Sequence, residues 1–454
     1  MKLNFNENFT RLSENYLFSE VARRVERLKS TAPDSKKSFF GRERIISLGI
    51  GDVTLPIPTA VSQKMARAAL EMSGSDTFRG YGDTQGHLPL REALCRRYAE
   101  RGVQFSADEI FINDGAKSDL GNLNDLFGRG ETLITEPTYP VYLDAAVMAG
   151  REVKLLCANK ENSFLPMPDA LDFAPRVIYL CSPNNPTGAV FDKDGLQKWV
   201  NFARESGSVI IFDAAYEAFV EDDSIPHSIF EIEGAKLCAI EVCSFSKMAG
   251  FTGVRCGWTA IARENPLHAM WKRRQSAKFN GASYIAQIGA LASLEEGRKE
   301  CAKNVKYYME NAHILADFLT KKGVFFTGGI HAPYLWVECP NNEPSWHFFD
   351  RLLNTAHIVC TPGAGFGGGD LGELNSARVA GVGNSNSEYS SPIRGANSDD
   401  ANLNGAGFST SNFVSSTPHK TETTTRECDR FVRFSSFAPR EDIKDAAARL
   451  DNVF

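Results

Sequence analysis

Histidine is scarce, at 8 of 454 residues, and the 10 cysteines stand singly, with no CxxC pair and no His cluster at zinc-ligand spacing. That pattern speaks against a zinc site or a disulfide framework and predicts reduced thiols in a cytoplasmic protein. No stretch approaches the roughly 18 apolar residues of a membrane span, and the opening MKLNFNENFTRLSENY has no apolar centre of a secretion signal. A large charge excess is absent too. Lys plus Arg (50) against Asp plus Glu (56) leave a formal charge of -6, which disfavours a nucleic-acid partner. No internal repeat is visible. With 43% hydrophobic and 23% charged positions the chain has globular proportions, and its length predicts more than one domain.

Leu17, Val21, Val25 and Leu28 recur at helical spacing and predict an amphipathic N-terminal helix, with Arg23, Arg24, Arg27 and Lys29 on its solvated face. From about residue 45, short apolar runs alternate with helix-like segments. IISLGIGD, EIFIND, ETLITEP, RVIYLCSP, SVIIFDAAY and LCAIEVCSFSK each end in polar, Gly or Pro residues. Continuous apolar runs predict strands buried on both faces, hence an α/β fold with a mostly parallel sheet. In such sheets ligands bind beyond the carboxyl ends of the strands. The long charged helix after residue 295 and strand-like APYLWVEC predict a smaller α+β domain. The expected division is 1–45, joining the small domain; 46–295, the large domain; and 296–454, the small domain. Residues 371–429 are about half Ser, Asn, Thr and Gly and predict a surface insertion without a core of its own.

The strand ends carry the chemistry. Asn185 follows RVIYL in SPNNPTG, Asp213 closes SVIIFD with Tyr216 three residues on, Lys247 follows Ser244-Phe245-Ser246, and Arg255 lies in GVRCGW. A lysine able to form an imine and an acid to pair with a ring nitrogen are what pyridoxal 5'-phosphate requires of a protein. Asp213 would keep that nitrogen protonated. Tyr216 and Asn185 would donate to the ring 3'-oxygen, and Ser244, Ser246 and Arg255 would hold a phosphate. Gly115, Ala116 and Lys117, at a strand-to-helix junction, offer backbone N–H groups to the same phosphate. Tyr139 in EPTYP is available to stack on the ring. Singly, each has a plain alternative: a solvated lysine, a helix cap, a surface ion pair, a core aromatic or an ordinary turn. Their joint occurrence at successive strand ends discriminates.

Together SPNNPTG, DAAY, SFSK and GVRCGW resemble the fold-type I, class I and II aminotransferases across nearly the whole chain outside 371–429. NYLF (15–18), LGIGD (48–52), FRGYGDTQG (78–86), NDGAK (113–117), EPTYPVYLD (136–144), FNGAS (279–283) and FVRFSS (431–436) resemble the L,L-diaminopimelate branch of that family. The resemblance implies a homodimer with shared active sites and small amino-acid and 2-oxo-acid substrates. It implies amino transfer from glutamate to tetrahydrodipicolinate in lysine and peptidoglycan precursor synthesis. By the same resemblance Lys247 is the imine-forming lysine and proton carrier, Asp213 the ring-nitrogen partner, and Tyr216 and Asn185 the 3'-oxygen donors. Tyr139 is the stacking ring. Ala116, Lys117, Ser244, Ser246 and Arg255 form the phosphate site, with Tyr81 supplied by the second subunit. Arg433 clamps the substrate α-carboxylate, and Tyr16, Gly51, Lys117, Tyr139, Asn185 and Asn280 contact substrate. The Asn185–Pro186 bond is expected to be cis.

Two departures from the family pattern stand out. Thr84 in YGDTQG occupies a position where relatives often carry a carboxylate, with Asp83 next door as a substitute. The 371–429 insertion interrupts the run from TPGAGFG to FVRFSS, immediately before Arg433. Loop entropy grows slowly with length, so a clean exit that leaves Arg433 in place is expected, and deleting the segment is expected to preserve cofactor binding. The alternatives are an aspartate or broad-specificity aminotransferase, a C–S lyase on the same fold, and a cofactor-binding protein without activity. A regulator would normally add a basic DNA-binding domain, for which residues 1–45 leave no room.

Overall fold

The computed structural model describes residues 4–12, 16–31, 44–49, 51–367, 378–379 and 427–454. In chain order its strands are β1 (Ile46–Ser47), β2 (Ile110–Asn113), β3 (Glu131–Glu136), β4 (Glu152–Cys157), β5 (Val177–Cys181), β6 (Val209–Asp213), β7 (Ala239–Ser244) and β8 (Gly257–Ala260). They continue with β9 (Phe326–Gly328), β10 (Tyr334–Glu338), β11 (Ile358–Val359), β12 (Thr361–Pro362), β13 (Arg378–Val379) and β14 (Phe431–Ser435). The large sheet has eight strands in the order β13-β4-β3-β5-β6-β7-β8-β2, parallel except for β8, which is antiparallel to both neighbours.

Alternate residues of the central strands feed two cores. Ile178, Leu180, Ile210 and Phe212 enter one, while Tyr179, Cys181 and Ile211 enter the other, as a period of two requires when both faces are covered. Each such aliphatic side chain, fully buried, contributes about 1.5–3 kcal/mol. The helix Lys193–Ser206 has local start and stop signals. Asp192 caps Lys193–Ser206 by accepting from the Gly195 N–H, and Gly207 ends it at φ +69°.

A second sheet, β12-β14-β10-β9, pairs Trp336 of β10 with Arg433 of β14. Its core includes Trp336, Phe431 and residues of the long helix Arg298–Lys322, and also takes in Leu17 and Val21 of the N-terminal helix Leu17–Thr31. All five residues of β14 are buried and paired, so the chain re-enters the sheet directly before Arg433.

Several expectations need correction. IISLGIGD supplies no strand to the large sheet. Its two-residue β1 runs parallel to β11, because Gly49 lets the backbone close on Cys360, where a Cβ would overlap the carbonyl. Arg24 is not simply solvated: it bonds Glu20 and Asp350 and lies 4.2 Å from the Trp346 ring centroid. The expected insertion lies largely outside the described residues. Its last part is built into the fold, since Cys428 is buried and Asp429 accepts from the Ser345 hydroxyl at 2.8 Å. Arg378–Val379 adds an edge strand beside β4.

β7 itself carries a buried carboxyl. Glu241 accepts from the Tyr98 hydroxyl (2.6 Å), the Ser228 hydroxyl (2.7 Å) and the Ile229 N–H (2.9 Å). Burial outweighs those bonds and pushes it up to about 7. A raised acid stabilises the fold fully below its unfolded value, and that contribution is lost as pH rises through about 7. Glu241→Gln is therefore expected to flatten the fall in stability between weakly acidic and alkaline pH. Between those limits the parent should lose about 3 kcal/mol that the variant keeps. Denaturant unfolding at a series of pH values checks this, and an unchanged slope would count against it.

Candidate active site

Five strand ends of the large sheet (β2, β3, β5, β6 and β7) and two strands of the small sheet (β10 and β14) converge on a cavity of about 410 Å³. Asp213, at the end of β6, is 4% exposed. Its carboxylate accepts from the Tyr142 hydroxyl at 2.5 Å and from the Ala215 N–H at 3.0 Å. Burial pushes it up to about 6 despite both bonds. A cation seated beside it would reverse that shift, which is the relation a ring N–H⁺ would have to it. Tyr142 is itself fixed by stacking on Tyr179, with centroids 4.9 Å apart.

β7 ends at Ser244, whose hydroxyl accepts from the Ser246 N–H at 3.1 Å and starts the short helix Phe245–Met248. That turn delivers Lys247 to the cavity, where its ammonium donates to the Gly51 carbonyl. Burial lowers Lys247 to about 8; Asp52 opposes the shift, and Arg433 and Arg255 reinforce it. An amine so placed is substantially neutral near pH 8, as a nucleophile must be. Position 51 has no room for a side chain, since a Cβ would overlap the Tyr334 hydroxyl.

At one end of the cavity Arg255 sits at φ +68°, a conformation uncommon outside glycine. It donates to the Ser246 hydroxyl and the Thr252 carbonyl, both at 3.2 Å. Gly115, at φ +117°, brings the turn into Ala116 and Lys117 so close that a Cβ would overlap the Arg255 guanidinium. Among the described residues Arg255 has no carboxylate partner. The guanidinium, two serines and a turn that only glycine allows thus form a set of donors lacking an anion, which fits a phosphate.

At the other end Arg433 is 1% exposed. It donates to Asn185 Oδ1 and to the Gly49 carbonyl, each at 2.6 Å, and lies 4.3 Å from the Tyr334 ring centroid. Among the described residues its Nε has no partner and no carboxylate pairs with it. A buried cation with only neutral acceptors is costly unless an anion completes it, so this end suits a carboxylate ligand. The Tyr216 hydroxyl lies 2.7 Å from that of Tyr334, and the Asn185–Pro186 bond is cis.

Of the residues expected in the site, Gly51, Ala116, Lys117, Tyr139, Asn185, Asp213, Tyr216, Ser244, Ser246, Lys247, Arg255 and Arg433 line this one cavity. Tyr16 borders it through Lys117, whose ammonium lies 3.3 Å from the Tyr16 hydroxyl. Tyr81 and Asn280 do not line it, and Tyr81 is 90% exposed. Asp83 is no free substitute for a carboxylate at 84: it pairs with Arg91 (2.8 Å) and accepts from the Gln85 N–H (2.9 Å). Sequence reasoning missed Tyr142, Tyr334 and Phe18. Tyr142 lies one helical turn beyond Tyr139, and that spacing was the available signal. Tyr334, in an apolar strand, offered none.

Residues 43–380 match the model of the class I and II aminotransferases. The chain is 46% identical over 387 residues to an LL-diaminopimelate aminotransferase of Bacteroides thetaiotaomicron, covering 80% of this chain and 92% of that one. One from Bacteroides fragilis is also 46% identical, with the same coverage. The solved L,L-diaminopimelate aminotransferase of Chlamydomonas reinhardtii superposes with a TM-score of 0.80 at 36% identity, covering 100% of this chain and 99% of that one. An aspartate aminotransferase of Thermotoga maritima, at 21% identity and a TM-score of 0.75, shares the fold. The cavity's lysine, acid and two anion-seeking ends, set on this fold and matched by these relatives, place the chain in the class I and II aminotransferase family.

Proposed function

We propose that this chain is an L,L-diaminopimelate aminotransferase, using pyridoxal 5'-phosphate to transfer the amino group of glutamate to tetrahydrodipicolinate, with L,L-diaminopimelate and 2-oxoglutarate as products. The observation that carries the reading is one cavity holding Lys247, Asp213 and a carboxylate-deficient Arg433. The relatives named above support the substrate class. The context is lysine and cell-wall precursor synthesis.

When bound, the cofactor supplies an electron sink for the substrate Cα. Arg255, Ser244, Ser246 and the Gly115–Lys117 turn would hold its phosphate, Tyr139 would stack on its ring, and Tyr216 and Asn185 would donate to its 3'-oxygen. Asp213, kept in place by Tyr142, holds the ring-nitrogen proton. Arg433 and Asn185 orient the substrate α-carboxylate so that the Cα–H bond faces Lys247. Lys247 Nζ, its basicity lowered by burial, would take the substrate Cα proton and carry it within the cavity. The small domain brings Arg433 to the large domain's lysine. We further propose a homodimer in which Tyr81 and Asn280 serve the second copy's cavity; the outward position of Tyr81 supports this.

One observation favours a broader specificity. Thr84 carries no charge and Asp83 is committed to Arg91, so this stretch presents no free carboxylate to a distal ammonium. A half-reaction panel decides between the readings. L,L-diaminopimelate and glutamate are expected to convert the bound cofactor to its amine form, with aspartate slower by about two orders of magnitude or more. Equal rates with aspartate would support the broad-specificity enzyme instead.

A further inference from the structure

The turn from Asn113 to Lys117 must hold a backbone that glycine alone adopts readily, because Gly115 sits at φ +117°. Glycine's freedom makes this turn entropically expensive to fix, so something must hold it. The Gly115 N–H donates to Asn113 Oδ1 at 2.9 Å. The Asn113 amide is oriented in turn: its Nδ2 donates to Asp119 Oδ2 at 2.8 Å and to Thr259 Oγ1 at 3.3 Å, and the Thr259 hydroxyl donates to the same Asp119 oxygen at 2.6 Å. These residues come from β2, from the helix Ala116–Asn122 and from β8, and none is more than 2% exposed. β8 opens with Gly257, where a Cβ would overlap Asn113 Oδ1.

We propose that Asn113, Asp119 and Thr259 are positioning residues for the phosphate. Acting through Gly115, they lock the turn so that its N–H groups and Arg255 address the same anion. The proposal deepens, and rests on, the reading of the cavity as a pyridoxal-phosphate site. Two features set this cluster apart from ordinary packing. The bond from Asn113 goes directly to the residue on which Arg255 closes. The cluster also retains a buried carboxyl that burial raises to about 6, a cost that an apolar side chain at position 119 would avoid. Here polar satisfaction fixes a geometry that apolar contacts, being non-directional, would leave loose.

The test compares the cofactor with pyridoxal, which has the same aldehyde and ring but no phosphate, titrated into cofactor-free protein and followed by the imine absorbance. Asn113→Ala is expected to weaken pyridoxal 5'-phosphate by about ten- to a hundred-fold and pyridoxal by less than about twofold. Thr259→Val, nearly isosteric and the safer variant for folding, is expected to shift the same ratio by about three- to tenfold. Equal weakening of both ligands would make the cluster merely structural and overturn the proposal, as would unchanged affinities in a folded Thr259→Val protein. If the parent protein binds neither ligand, the cofactor reading itself fails, an outcome distinct from failure of the proposal.

Discussion

Lys247→Ala protein is expected to bind the cofactor without the imine absorbance band and to lose at least about four orders of magnitude in transamination rate. Two separate contributions vanish together, the covalent link and the proton carrier. The substitution removes a buried ammonium whose bond is to the Gly51 carbonyl, so the fold should survive. Spectra recorded without amino acid separate the two roles, because a substrate amine can still form an imine with the aldehyde. A protein-borne imine that persists in the variant would remove Lys247 from its place.

Arg433→Lys is the second large effect. The guanidinium reaches Asn185 and Gly49 at once and rests on Tyr334; a lysine ammonium on a shorter stem cannot reproduce that fork. Catalytic efficiency, kcat/KM, is expected to fall by about a hundred- to a thousandfold, while the imine absorbance with cofactor alone stays unchanged. The retained imine identifies a defect in substrate alignment. Arg433→Ala would open a void beside Tyr334, Phe366 and Phe18 and mix alignment with stability. Weakening of cofactor binding in parallel with kcat/KM, or a loss under about threefold, would contradict the assignment.

Much of this site could be read from sequence because its chemistry is conspicuous there. A lysine, an aspartate and an arginine each have a plain reading alone, but their joint occurrence with Asn185 and Tyr216 at successive strand ends points to a shared ligand. The central strands were readable for the same reason: VIYLC and VIIFD are apolar throughout, as burial on both faces demands. β4 was not singled out, because Glu152 and Lys154 interrupt its apolar run; they pair with each other at the sheet's margin. β8, four residues opening with glycine, is too short to show a period. Tyr142 was not singled out: its spacing from Tyr139 was the one signal, and the direction of its hydroxyl toward Asp213 shows only in the fold. The direction of Asp83 was hidden likewise, because its partner Arg91 lies on the next helix and a one-residue choice decides which way a carboxylate faces. The insertion's end at 427–429 was misplaced because composition cannot register a single buried Cys428 or the two bonds from Ser345 to Asp429.

The central claim is that Lys247 carries the cofactor covalently. Reducing the protein with borohydride in the presence of pyridoxal 5'-phosphate, followed by peptide mass mapping, tests it most directly. The account predicts a single stoichiometric phosphopyridoxyl addition on Lys247. An unlabelled Lys247, or label spread over surface lysines alone, would contradict it.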